Sequence, residues 1–196
     1  WLPLWGFGQG PVDVLKSEPR SKWQTMFEVA TALYFAALGW RLDFSTDLVM
    51  AILFSLPLLM IALVDFWTRL IHVNVIVLGI VVGLLFAIAD GTGALVDSLL
   101  GMAVGAGIFI FFFVLAMVIY RNPKVVPFGL GDVYLAAMIG AMVRIGLVGQ
   151  ALVLGIFLAG FILAALLFAK VLTRKQAVAY GPYLCLGALA TIIINA

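Results

Sequence analysis

Apolar residues in this chain gather into long runs separated by short polar breaks, with no strand-like alternation, internal repeat or low-complexity tract. A helix that crosses a bilayer needs roughly 20 predominantly apolar residues. On that measure the pattern predicts seven membrane segments, at about 23–40, 47–64, 73–89, 98–120, 132–148, 151–169 and 177–195. Trp23 and Trp40 frame the first, as aromatic anchors at the two interfaces do. The fifth is the shortest apolar run: from Val133 to Val143 it rises only ~16 Å. It crosses only by continuing past Arg144, with a turn near Gly149 and Gln150. The run IFIFFF at 108–113 reads as lipid-facing bulk.

Composition makes the bilayer the expected solvent. Of the 196 residues, 66% are hydrophobic and only 10% charged, and a soluble domain of this length needs far more polar surface. The predicted fold class is all-α: a polytopic membrane helix bundle. Residues 1–22, with Lys16, Arg20 and Lys22 among Gly and Pro, are expected to form a polar cytoplasmic or interfacial lead-in, and 23–196 the transmembrane domain. The net charge of +2 gives no reason to expect nucleic acid as a partner. Cys185 is the one cysteine and lies in an apolar run, which excludes a disulfide framework or a cysteine zinc site. The chain opens on Trp1 rather than Met, so it is read as open at its start, with room for an upstream segment, and the lack of a signal peptide carries no conclusion.

Seven spans alternate the loops between two faces. One face receives Lys16, Arg20, Lys22, Arg69, Arg121, Lys124, Lys170, Arg174 and Lys175, and the other only Arg41 and Arg144. By the positive-inside rule the first face is cytoplasmic.

The same threading sorts the acids. Asp43, Asp47, Asp90 and Asp97 flank the outer loops, and Asp13 and Glu18 belong to the lead-in; all read as solvated surface. Glu28, Asp65 and Asp132 remain, at or just inside the cytoplasmic ends of segments. Ionisable groups there are costly and are functional candidates by default. Asp65 closes the second segment and Asp132 opens the fifth, so the topology brings them to the same depth on the same face. Two facing carboxylates can share a proton, one activating water and the other hydrogen-bonding the scissile carbonyl. That is aspartic protease chemistry, and it calls for no metal or other cofactor.

Each acid also has a local alternative. Asp is a preferred N-cap residue, and the approach PFGLG to Asp132 is glycine-rich. Asp65 can pair with Arg69 at i+4. Glu28 can anchor a basic leader or pair with Lys22 or Arg69. Tyr134 can donate a hydrogen bond in the site or sit at the interface as tyrosines commonly do. His72, the sole histidine, can tune the pair or simply occupy an interface position. Gly129 and Gly131 suit close approach of backbone to a substrate, and equally a tight turn. Gly181 and Pro182 interrupt the start of the last segment and are expected to form a third wall of the site.

With these residues in view, the chain resembles a known family. GLGD at 129–132 looks like the G-x-G-D signature of intramembrane aspartic proteases, and within that group the chain resembles the type IV prepilin peptidases, including the archaeal preflagellin peptidases. The stretch DFWTRLIHVN from Asp65 is similar to that around the family's first aspartate: it keeps Arg69, Leu70, Ile71 and Asn74, with His72 where the family has proline. Tyr134 stands where bacterial members carry lysine. AYGPYLCLGAL from Ala179 and FEVATALYF around Glu28 resemble two further family segments. The likeness covers most of residues 20–195.

The resemblance implies an endopeptidase of the plasma (inner) membrane that uses Asp65 and Asp132 at the cytoplasmic boundary. Its substrate would be a prepilin- or preflagellin-like precursor of a type IV pilus or secretion system, with a short basic leader followed by an apolar helix. The bacterial members' cysteine-bearing loop has no counterpart, so N-methyltransferase activity is not expected. Helix dipoles oppose negative charge at the end of one segment and favour it at the start of another, which suggests Asp65 as the protonated acid and Asp132 as the base, within a pair that titrates as a unit. The competing readings are a catalytically inactive homologue acting as a membrane scaffold, a presenilin-like G-x-G-D protease, and a transporter using intramembrane acids.

Overall fold

The computed structural model describes residues 22–42, 44–68, 72–120, 129–169 and 180–196. The expected lead-in, Arg69 and most of the loop basic residues lie outside these. Six helices are formed: α1 (Lys22–Arg41), α2 (Thr46–Thr68), α3 (Val73–Asp90), α4 (Thr92–Tyr120), α5 (Leu130–Phe168) and α6 (Gly181–Asn195). By length and apolar composition α2, α3, α4 and α5 can each cross a membrane, and α6 is a shorter apolar helix. The chain divides into two compact units at Ala37/Leu38. The first holds most of α1, in which Gln24 and Glu28 dilute the apolar run; the packing described below is all within the second.

The seven apolar runs appear as six helices because α5 contains two of them. Arg144 breaks it with φ 63° and ψ 175°, a backbone region that residues other than glycine rarely enter. The turn therefore falls at Arg144 and not near Gly149 and Gln150, which are helical. The break is a reversal. Gly101 on α4 packs against Gly140 and Gly105 against Ala136, so 130–143 runs antiparallel to α4. Phe109, further along α4, then shares a cavity lining with Ile156 and Ala159, so 145–168 has doubled back alongside. A partner 54 residues away holds the corner: the Arg144 guanidinium forms an ion pair with Asp90, the last residue of α3. Asp90 is thus engaged at this corner rather than simply solvated.

Close packing of small residues joins these helices. A methyl group on Gly101 or Gly140 would run into the other's carbonyl oxygen, and one on Gly187 would strike Ala151 and Gly155 of α5. Lipid tails supply no hydrophobic drive between helices, so association rests on such close backbone approach and on interhelical hydrogen bonds. Ser98 provides one, its buried hydroxyl donating to the Ala141 carbonyl at 2.6 Å. On the other side of 130–143, Gly79 and Gly83 of α3 face Met138, Ala141 and Met142. Residues 135–143 are accordingly buried without interruption. A single residue, Gly91, links α3 to α4, and its φ of 111° suits glycine; helix α4 starts six residues earlier than its apolar run suggests.

The two innermost helical pieces are also the shortest. Residues 130–143 rise about 21 Å and α6, with 15 residues, about 22 Å, against a hydrocarbon core of about 30 Å. Longer helices surround them. Arg41 caps the far end of α6, its guanidinium donating to the carbonyls of Ile193 at 2.7 Å and Ile194 at 3.2 Å.

Candidate active site

Asp132 is the third residue of α5, not its N-cap. Gly129 occupies the position ahead of the helix, and its N–H donates to Oδ2 of Asp132 at 3.1 Å, while the Asp132 N–H donates to the Gly129 carbonyl at 3.1 Å. An acid at this position reaching back to the capping residue is half of a capping box. It satisfies one of the donors that every helix start leaves open, and it fixes the carboxylate with only 8% of the residue exposed.

Asp65 lies in the last turn of α2 and is 3% exposed. Its carboxylate accepts a hydrogen bond from the N–H of Gly181, the first residue of α6. The apolar pattern starts the last segment near 177 and makes Gly181 and Pro182 an interruption within it. In the structure α6 begins at Gly181, and Pro182 sits in its first turn, where the missing N–H leaves no bond unmade. Gly181 and Pro182, both buried, are therefore the start of a helix rather than a break within one.

Three helix ends thus converge: the end of α2 and the starts of α5 and α6. The Asp65 and Asp132 carboxylates act on each other electrostatically. Both also act on the thiol of Cys185, which is fully buried one turn into α6. Sequence reasoning assigns Cys185 no role beside the pair. Its spacing of four residues from Gly181 is the available signal, since that places both on one helix face.

The expected asymmetry between the two acids is also revised. Asp65 does sit at the C-terminal end of α2, but it is covered by the N-terminus of α6, so each carboxylate meets N-terminal helix donors. The dipoles no longer rank one above the other as the proton holder.

The remaining candidates are placed as follows. Gly131 is the second residue of α5 and half-buried. Tyr134 is 48% exposed, breaking an otherwise buried run. Two residues on a helix turn about 200°, which puts it on the far side from Asp132. His72 is an exposed N-cap of α3 whose side chain makes no capping bond; it borders a small apolar recess with Met60, Ile61, Val64 and Val75. Glu28 is exposed on α1, in the first unit. Asn74 is exposed near the start of α3. Among the described residues, no group of three or more His, Cys, Asp or Glu side chains could hold a metal ion.

Comparison of the chain with family models, with curated proteins and with solved structures returns no match.

Proposed function

We propose that this protein is an intramembrane aspartic endopeptidase that cleaves prepilin-like precursors with an Asp65/Asp132 pair and water. The observation that supports it best is the meeting of two buried carboxylates from helices α2 and α5, each held by a backbone N–H at a helix start. A structural acid needs one partner and a site near solvent. Burying two acids together is costly unless they share a proton, and that shared-proton state suits hydrolysis.

In this mechanism one carboxylate takes a proton from water as the oxygen attacks the scissile carbonyl carbon. The protonated partner donates to the carbonyl oxygen, giving a neutral gem-diol. The C–N bond then breaks as one carboxyl gives its proton to the amine nitrogen and the other carboxylate takes a proton from a gem-diol hydroxyl, whose oxygen becomes the carbonyl of the new acid, so the pair again holds one proton. The Gly129 and Gly181 N–H groups keep both carboxylates in place throughout. The likeness of GLGD and DFWTRLIHVN to prepilin peptidases supplies the substrate class, and the loop charges support a cytoplasm-facing site in the plasma membrane.

The test is incubation of purified protein in detergent with a precursor carrying a basic leader and an apolar helix. Wild type should cut once near the junction, and Asp65→Ala and Asp132→Ala should not. Cutting by either variant at the wild-type rate would remove the pair from the mechanism. No cutting by a well-folded wild type of any such precursor would favour the scaffold.

A further inference from the structure

Arg41 and Arg144 are the two basic residues that the loop pattern sets apart from all the others, and the chemistry above uses neither. Each holds the far end of one of the two short inner helices. Arg144 closes the piece 130–143 and pairs with Asp90 at the end of α3. Arg41 donates to the carbonyls of Ile193 and Ile194 in the last turn of α6, where a helix leaves carbonyl groups unpaired and favours a cation. All of these residues lie within the second unit.

Two independent relationships set these anchors at one level. Along the chain, Arg144 lies twelve positions beyond Asp132, and Ile193 lies twelve beyond Gly181, whose N–H holds Asp65. Each stretch is about 18 Å of helix. In the packing, 145–168 runs antiparallel to 130–143 and also to α6, since Gly155 meets Leu184 while Ala151 meets Gly187. The two short helices therefore run in the same direction, and that register, carried on from Gly187, brings Ile193 within a turn of Arg144. Level anchors and equal lengths of helix deliver Asp132 and the Gly181 N–H to one level at the other end.

Hydrophobic length does not set that level. At about 21 Å and 22 Å, both pieces fall short of the hydrocarbon core, and mismatch resists an axial shift only weakly. The seams of glycine and alanine bring the helices close but offer few interlocking side chains against a slip. Helix α2, which carries Asp65, has 23 residues and is long enough for the bilayer itself to hold. A slip of either short helix against α2 would draw Asp132 away from Asp65, or the Gly181 N–H away from the carboxylate it supports. The Arg144–Asp90 pair is half-exposed, and exposed pairs add little to stability. It nevertheless requires a positive φ at Arg144, and backbone strain of this kind gathers where position matters.

From these relationships we infer that Arg41 and Arg144 are positioning residues, which fix the depth of the two short helices and so hold the Asp65 and Asp132 carboxylates level with each other. The inference rests on the endopeptidase reading and adds to it two anchors about 18 Å from the chemistry. The bilayer sets the depth of the long helices, and the arginines set that of the short ones.

The experiment breaks each anchor while leaving the corner backbone and the site untouched. Arg41→Gln removes the cation at the end of α6, and Asp90→Ala releases Arg144. Arg41→Lys, which keeps a charge and a donor at the helix end, is the rescue variant. Each protein is reconstituted with a prepilin-like precursor in phosphatidylcholine vesicles of graded acyl-chain length. In Arg41→Gln and Asp90→Ala, kcat should fall by about 10-fold to 100-fold, as a misplacement of about 1 Å would cause, with KM unchanged. The loss should deepen as the lipid chains lengthen, and Arg41→Lys should recover most of it. The protonated-carboxyl infrared band should shift in both anchor variants, because the support and the proton sharing of the carboxylates change with their level. Thermal melting checks folding; Arg41 and Asp90 are both exposed, and each variant tests its own anchor if the other fails to fold. Folded variants with wild-type kcat, or a loss of kcat equal at every chain length, overturn the anchors while the endopeptidase stands. If wild type cuts no precursor, the endopeptidase reading fails and the infrared band decides alone: a shift in the variants upholds the anchoring, and an unmoved band overturns it as well.

Discussion

The N–H of Gly181 donates to the carboxylate of Asp65 across 116 positions of sequence. This bond ties the end of α2 to the start of α6, and it gives Asp65 the same kind of support that Gly129 gives Asp132. A proton shared between two similarly supported carboxylates depends on both. The protonated-carboxyl infrared band of wild type should therefore disappear in Asp65→Asn and in Asp132→Asn alike. A band that survives one substitution and not the other would assign the proton to a single residue.

At Gly101 and Gly140 the seam between α4 and 130–143 leaves no room for a side chain. Gly140→Leu and Gly101→Val should each destabilise the protein by at least about 1–3 kcal/mol, the cost of overpacking a filled interior. Gly107→Val is the control, because a methyl group on Gly107 would meet nothing within 4 Å. Thermal melting in detergent reads the difference, and equal melting of Gly107→Val and Gly140→Leu would refute the seam.

At the corner of α5, Arg144→Gly and Arg144→Ala both remove the ion pair with Asp90. Only glycine relieves the positive φ. Glycine should therefore be the more stable of the two by about 1 kcal/mol or more, since such backbone conformations cost ~1–3 kcal/mol. An alanine variant as stable as the glycine variant would show that the corner relaxes.

His72 has φ −79° and makes no capping bond with its side chain. A proline ring fixes φ near −65 ± 15°, so His72→Pro fits the backbone. Peptide cleavage by His72→Pro should match wild type across about pH 5 to 8, the range in which histidine changes charge. A change in the shape of that profile would give the imidazole a part in the site.

Tyr134 faces away from Asp132, so Tyr134→Phe should cut at a rate within about threefold of wild type, because no hydrogen bond in the transition state is lost. A drop of tenfold or more would place its hydroxyl in the reaction.

The helical architecture is legible in the sequence because bilayer thickness imposes length and apolarity on each span, and apolar runs state both directly. The corner at Arg144 is not. Gly149 and Gln150 have the local character of a turn, whereas Arg144 owes its conformation to Asp90 on another helix and to the seam at Gly140. Within the candidate site, the threading brings Asp65 and Asp132 to one end of the chain's helices, and their proximity follows from that. The backbone partners are hidden for opposite reasons. Gly129 is local, but Asp132 has the composition of a cap when it is the residue that reaches back to the cap. Gly181 is remote, and helix contacts between α2 and α6 have no local signal. Phe109 looks like its lipid-facing neighbours, because period and hydropathy do not distinguish a side chain facing lipid from one facing a cavity.

Helix α4 supplies neither carboxylate, yet it extends well beyond their level. Carried along the register of Gly101 with Gly140, Asp132 stands level with Phe109, and α4 continues from there to Tyr120, about 16 Å further. Most of that extension is exposed apolar side chain, from Phe111 to Ile119. On the α4 side the carboxylates therefore lie on a ledge below a greasy parapet. The proposed hydrolysis would consume a water molecule in every turnover, and on the α4 side each one would have to descend past a wall that offers it no hydrogen bond. If the protein works as proposed, delivery of water would then set the pace as much as acid–base chemistry does.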